Sequence, residues 1–178
     1  MTVFTTFDAF VASTNGQTIG TGECWDYVNL LWSHLGGRYY TYPPSDPSST
    51  NHGVKWGWLN TEARAANTID HLTQVTSLQD IKKGDIVVTS GGEFGHAGFA
   101  AEDYDSSGYL ELYSQNYNGR RSVALDNNDM STFAGAWRYD AWYTPPTPPT
   151  PTPSVTRKKK PFPWVLYARK LNNKRNMI

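Results

Sequence analysis

Six prolines in eleven residues, TPPTPPTPTPS from Thr144 to Ser154, divide this chain. Proline fixes φ and lacks an N–H, so such a run neither continues a helix nor joins a strand ladder. It has no apolar side chain able to enter a core, and is expected to be an extended, polyproline-type spacer over residues 144–154. Folding is thereby confined to residues 1–143, long enough to bury one sizeable core, with residues 155–178 as a separate segment.

Charge divides at the same place. All 16 acidic residues lie at or before Asp140, together with only eight of the 16 basic ones, so the first part carries −8. The other eight basic residues lie at or after Arg157, and the overall balance of zero conceals two pieces of opposite sign. An acidic domain of this kind is a poor partner for nucleic acid, and none is expected.

The sole cysteine, Cys24, excludes an internal disulfide and a thiolate-rich metal cluster. The start, MTVFTTFDAFVASTNG, has neither the positive charge nor the apolar run of a signal peptide, and no stretch reaches membrane-spanning length. Synthesis in a cytosol without export by the usual route is the expectation. Aromatic residues make up 14% of the chain, which suits a polar-aromatic surface or a carbohydrate-rich groove.

The pattern predicts helices followed by antiparallel strands, an α+β domain. A short helix is expected over Val3–Ala12. The strongest helix is expected over Cys24–Leu35, where Cys24, Tyr27, Val28, Leu31 and Leu35 form an apolar stripe that Gly36-Gly37 ends. A third is expected from Thr61 to about His71. The strands are expected in KKGDIVVTS, HAGFAAEDY, YLELYSQNY and AGAWRYDAWY.

Cys24 follows Gly20-Thr21-Gly22 and falls in the first turn of its helix, where free N–H groups and the helix dipole favour a thiolate. A lone cysteine is equally read as a small buried side chain, so a base partner decides. Of four histidines, His34 lies at the far end of the same helix, and His52 and His71 read as solvated. His96 opens a strand in which Gly98 and Ala100 leave room beside the imidazole; a strand-edge histidine with a satisfied hydrogen bond is the other reading. In YLELYSQNY the face bearing Leu110 and Leu112 also bears Ser114 and Asn116, which places two polar groups inward next to that strand. They are expected either to hold the imidazole or to satisfy backbone groups.

GECWDYV, KKGDIVV, GHAGFAAE and LYSQNY, in that order and spacing over Phe4–Tyr143, resemble the CHAP family of papain-like cysteine amidohydrolases and peptidases, which cleave bacterial peptidoglycan. The resemblance implies a papain-like α+β fold, Cys24 as nucleophile, His96 as base and Asn116 as the residue that orients it. Two departures stand out. Ser114 occupies the place where the family often has a carboxylate, and Glu23 precedes the cysteine where Gln is common. Glu23 next to Cys24 is expected to raise the thiol pKa. The Cys24 amide, with Gln17, is the expected oxyanion site, and Ser114 a helper. Trp25, Trp56, Trp58 and Tyr117 are candidates for the substrate groove. Some family members hold calcium ahead of the cysteine; here Asn15, Gln17, Thr21 and Asp26 supply one carboxylate, and no metal or cofactor is expected.

The function implied is hydrolysis of an amide bond in cell-wall peptidoglycan, by an N-acetylmuramoyl-L-alanine amidase or an endopeptidase. A wall hydrolase without a signal peptide suggests a bacteriophage protein, either a free lysin in the host cytoplasm or a component of the virion tail. The basic, aromatic residues 155–178 are expected to dock to other virion proteins or to anionic polymers. The alternative is a non-catalytic wall-binding or structural module of the same fold.

Overall fold

The computed structural model describes residues 4–143. The spacer expected over 144–154 and the segment 155–178 lie outside the described residues.

Four helices come first: α1 (Phe7–Thr14), α2 (Cys24–His34), α3 (Trp56–Leu59) and α4 (Thr61–Asn67). Six strands follow: β1 (Leu72–Val75), β2 (Ile86–Thr89), β3 (His96–Ala100), β4 (Tyr109–Ser114), β5 (Ala124–Asp129) and β6 (Phe133–Tyr139). They form one antiparallel sheet in the order β1-β6-β2-β3-β4-β5. This is the expected α+β class, with two strands the pattern did not predict.

Local chemistry sets the element ends. The Thr6 hydroxyl accepts from the Ala9 amide at 3.1 Å, so α1 begins at Phe7 and extends to Thr14 instead of spanning 3–12. α2 ends where expected, with Gly36 at φ +80°. α4 is capped by Asn60, whose side chain accepts from the Ala63 amide at 2.9 Å. It stops at Asn67, short of the expected His71, because the next residues turn back to pair β1 with β6.

Apolar side chains pack on both faces of the sheet. On one face Ile86, Val88, Ala97, Phe99 and Trp137 meet Phe10 of α1 and Tyr27, Val28 and Leu31 of α2. On the other, Val87, Ala100, Leu110, Leu112, Met130 and Ala136 form a smaller cluster. β2 is therefore buried along its whole length. Ahead of it, the fully buried Asp85 accepts from Arg138 Nε at 2.9 Å and Nη2 at 2.7 Å, from the Lys82 amide at 2.9 Å and from the Tyr143 hydroxyl at 3.1 Å. The acidic residue of KKGDIVV thus locks the β2 turn to β6. Among the described residues no helix is long and apolar enough to cross a membrane.

Candidate active site

Residues 19–23, which lead into α2, are held from two sides. Asp26 Oδ2 accepts from the Thr21 amide at 2.8 Å, the Thr21 hydroxyl at 2.7 Å and the Glu23 amide at 3.2 Å. Gln115, fully buried just past β4, accepts from the Ile19 amide at 3.1 Å and donates to the carbonyls of Ile19 and Glu23, both at 2.8 Å. The two glycines are needed here. Gly20 and Gly22 have φ of +58° and +87°, and a Cβ on them would lie 2.6 Å from Asp26 Cγ and 2.8 Å from Arg121 Cβ.

This clamp sets Cys24 into the first turn of α2 with 8% of its surface exposed. Burial pushes its thiol up to about 11; the Ala97 amide of β3, hydrogen-bonded to the sulfur, opposes the shift, and the charge of Glu23 adds to it. The expectation of a thiolate favoured by the helix start is therefore corrected: desolvation outweighs the helix terminus and holds Cys24 toward the thiol. The expected effect of Glu23 has the expected sign.

His96 opens β3, half-buried, with its Nε2 inside the protein and without a hydrogen-bond partner among the described residues. Its ring packs against Tyr117 at 5.4 Å between centroids. Burial lowers it to about 4, the charge of Asp126 acting in the opposite direction and that of Arg120 in the same one. At neutral pH the pair is a thiol and a neutral imidazole.

Ser114 points inward as expected and is fully buried, but its hydroxyl donates to Asp126 Oδ2 at 3.1 Å. Asn116 does not reach the histidine. It lies beyond the end of β4 with φ +59°, and its side-chain amide donates to Glu23 Oε2 at 2.5 Å. Glu23 is also paired with Arg121, and Asp126 with Arg120, whose Nη1 lies 2.7 Å from Oδ1. Gln115, Asp126, Arg120 and Arg121 are partners of these residues that the pattern does not pick out. The Asn118-Gly119 pair, a strong hairpin signal, would have placed β5 and with it Asp126.

Cys24 and His96 line one cleft of about 600 Å³ with Glu23, Trp25, His52, Phe94 and Asn116. The aromatic candidates separate. Trp25 is at the cleft, 38% exposed. Trp58 is core, not groove: its ring lies so close over β6 that a Cβ on Gly135 would fall 2.0 Å from its Cε2. Trp56 is half-buried beside Lys55, and Tyr117 backs His96 with its hydroxyl on the Asn127 carbonyl at 3.0 Å; neither lines the cleft. Gln17 is exposed and outside the lining, because residues 14–17 turn away with the Gln17 carbonyl bonded to the Val123 amide at 2.8 Å. His52 and Phe94, by contrast, line it without having been expected there. Among the described residues no group of three His, Cys, Asp or Glu could hold a metal.

No family model matches the sequence, and no curated protein matches it. Solved structures do. That of a wild-type endolysin, LysIME-EF1, aligns at 19% identity and a TM-score of 0.48 over 73% of this chain and 61% of that one. Ly7917 with the hydrolyzing product of MDP aligns at 20% identity and 0.43, over 73% and 60%. Ly7917 by itself aligns at 19% identity and 0.50, over 73% of this chain and 60% of its own. The chain thus spans about 60% of the length of the solved chains it matches. What it shares with Ly7917 at that identity is the fold, a papain-like α+β arrangement of helices on an antiparallel sheet.

Proposed function

We propose that the domain hydrolyses an amide bond in bacterial cell-wall peptidoglycan, with Cys24 as nucleophile and His96 as base. The observation that carries this is the meeting of the only cysteine, in the first turn of α2, with the first residue of β3 in one cleft. The substrate class rests on the likeness of the four motifs to CHAP hydrolases. Wall peptides also suit a cleft of this size edged by Trp25 and Phe94.

A neutral pair starts the reaction with one proton to move. His96 takes the Cys24 proton as the sulfur attacks the carbonyl carbon, and the Cys24 amide, in the first turn of the helix, stabilises the oxyanion. The imidazolium then protonates the leaving amine as the C–N bond breaks. Water, deprotonated by the neutral imidazole, cleaves the thioester and restores the thiol. Purified cell walls should lose turbidity with the native protein and keep it with Cys24→Ser; undiminished lysis by that variant overturns the assignment. Mass spectrometry of the released fragments then separates amidase from endopeptidase.

A non-catalytic wall-binding module is the second reading, favoured by the thiol held at about 11. Alkylation of Cys24 by iodoacetamide at neutral pH, faster than that of a free thiol when wall peptide is bound, excludes it. Residues 155–178 are proposed to dock the domain in a phage particle, and recovery of the protein from washed virions distinguishes this from a free lysin.

A further inference from the structure

The sheet face that carries His96 continues through Gly98 of β3 to Ser114 of β4 and Asp126 of β5. Gly98 has no side chain, and a Cβ there would lie 2.9 Å from Ser114 Cβ and 3.1 Å from Leu112 Cβ. The absence of that atom lets β4 close tightly over β3, with Ser114 packed against Gly98, two residues from His96 on the same face. Asp126 pairs in register with Leu112, which puts its side chain on the same face, diagonal to Ser114. That side chain is only 9% exposed, and Ser114 is wholly buried. At the other end of the row, the buried His96 Nε2 has no partner among the described residues. A buried ring nitrogen on the same sheet face as a buried hydroxyl–carboxylate pair leaves one link of a hydrogen-bond chain to be closed.

We propose that Asp126, acting through Ser114, is the positioning carboxylate of His96: the Ser114 hydroxyl accepts from Nε2–H while it donates to Asp126. This rests on the reading of His96 as the base. Contacts of this kind are often long in an unliganded site and close when substrate excludes water. The carboxylate that Ser114 displaces from β4 is thereby supplied one strand further out. Arg120 fixes both Asp126 oxygens and moderates the charge that reaches the ring. The other charged or titratable groups around His96 are Tyr117 in the same turn, Cys24 and Glu23 at α2, and His52 and Glu93 across the cleft.

The test is an NMR titration of the histidine side chains in the full chain, the His96 signal identified by its loss in His96→Gln. Asp126→Asn should move the His96 midpoint to lower pH, and Arg120→Gln should move it to higher pH, each by about half a unit or more. Ser114→Ala should lower it in the same direction as Asp126→Asn. Should Asp126→Asn fail to fold, Arg120→Gln alone decides. Unchanged midpoints in folded variants overturn the proposal. The acid limb of wall lysis should follow the NMR midpoint variant by variant. Wall lysis that ignores it also overturns the proposal, whereas shifted midpoints in a protein that lyses no wall refute the assigned reaction and leave the coupling in place.

Discussion

The Asn116 side-chain amide donates to Glu23 Oε2 at 2.5 Å, so the asparagine expected beside the base serves the residue ahead of the nucleophile. With Arg121 on the same carboxylate, Glu23 is held away from free rotation over the cleft. Its charge nevertheless works against ionisation of Cys24. Glu23→Gln should keep the Asn116 contact and remove that charge. Iodoacetamide should then alkylate Cys24 about threefold faster or more at neutral pH. Arg121→Ala should do the reverse by leaving Glu23 unneutralised. Equal rates in all three proteins contradict this electrostatic account.

His96 titrates well below an ordinary histidine, at about 4, because burial disfavours its charged form. The base is therefore neutral across the physiological range, and kcat/KM should hold down to about pH 5 before falling on the acid side. Stability has a definite sign. The unfolded chain, with a histidine near the usual ~6.5, binds more protons than the folded one between these values. Stability from this group is complete above about 6.5 and declines as pH falls toward 4, by about 2–3 kcal/mol in all. Urea midpoints at pH 7.5 and 4.5 measure it: His96→Gln should lose less stability across the interval than the native protein.

Gln115 makes three hydrogen bonds to residues 19–23 from a fully buried position. Gln115→Ala leaves the Ile19 amide without its acceptor and takes one of two donors from each of the Ile19 and Glu23 carbonyls, which keep the Gly22 and Asp26 amides, and should cost about 1–3 kcal/mol. Because the same bonds set the approach to Cys24, kcat should fall by tenfold or more in protein that is still folded. A loss of stability with kcat intact shows that the clamp does not position the nucleophile.

Asp85 lies under β2, away from the cleft, and is the buried partner of Arg138. Removal of one member of such a pair strands the other charge. Asp85→Ala should therefore destabilise the domain by about 3–5 kcal/mol. Wall lysis per folded molecule should not change. Denaturant unfolding and lysis measured on the same preparation check both parts.

Legibility in the sequence followed the range of the interactions. α2 was readable because its apolar stripe, its start and its glycine stop are all local. Cys24 and His96 could be matched because each sits at an element boundary marked by glycines. β5 was not readable: Ala-Leu-Asp-Asn-Asn-Asp is rich in residues that strands disfavour, and it forms as an outer strand against β4. With β5 missed, Asp126 had no place. Alternation places Ser114 correctly but fails two residues on, because Asn116 has already left the strand in a left-handed conformation. Gln115 continues the alternation of exposed Tyr109 and Glu111 just past β4, and its partners, Ile19 and Glu23, are distant in sequence. The partition of tryptophans has the same cause: Trp58 is core because Gly135, far along the chain, lets its ring onto β6.

The turn between β4 and β5 bears two consecutive arginines that look to opposite halves of the site. Arg120 holds Asp126 on the imidazole side, and Arg121 holds Glu23 on the sulfur side. Surface hairpins usually accept insertions and drift in length. Here a one-residue slip would exchange the two guanidinium groups and unsettle both halves together. This exposed turn is under the constraint of a hinge pin, and a library of its lengths should tolerate fewer variants than one made at the turn before β4.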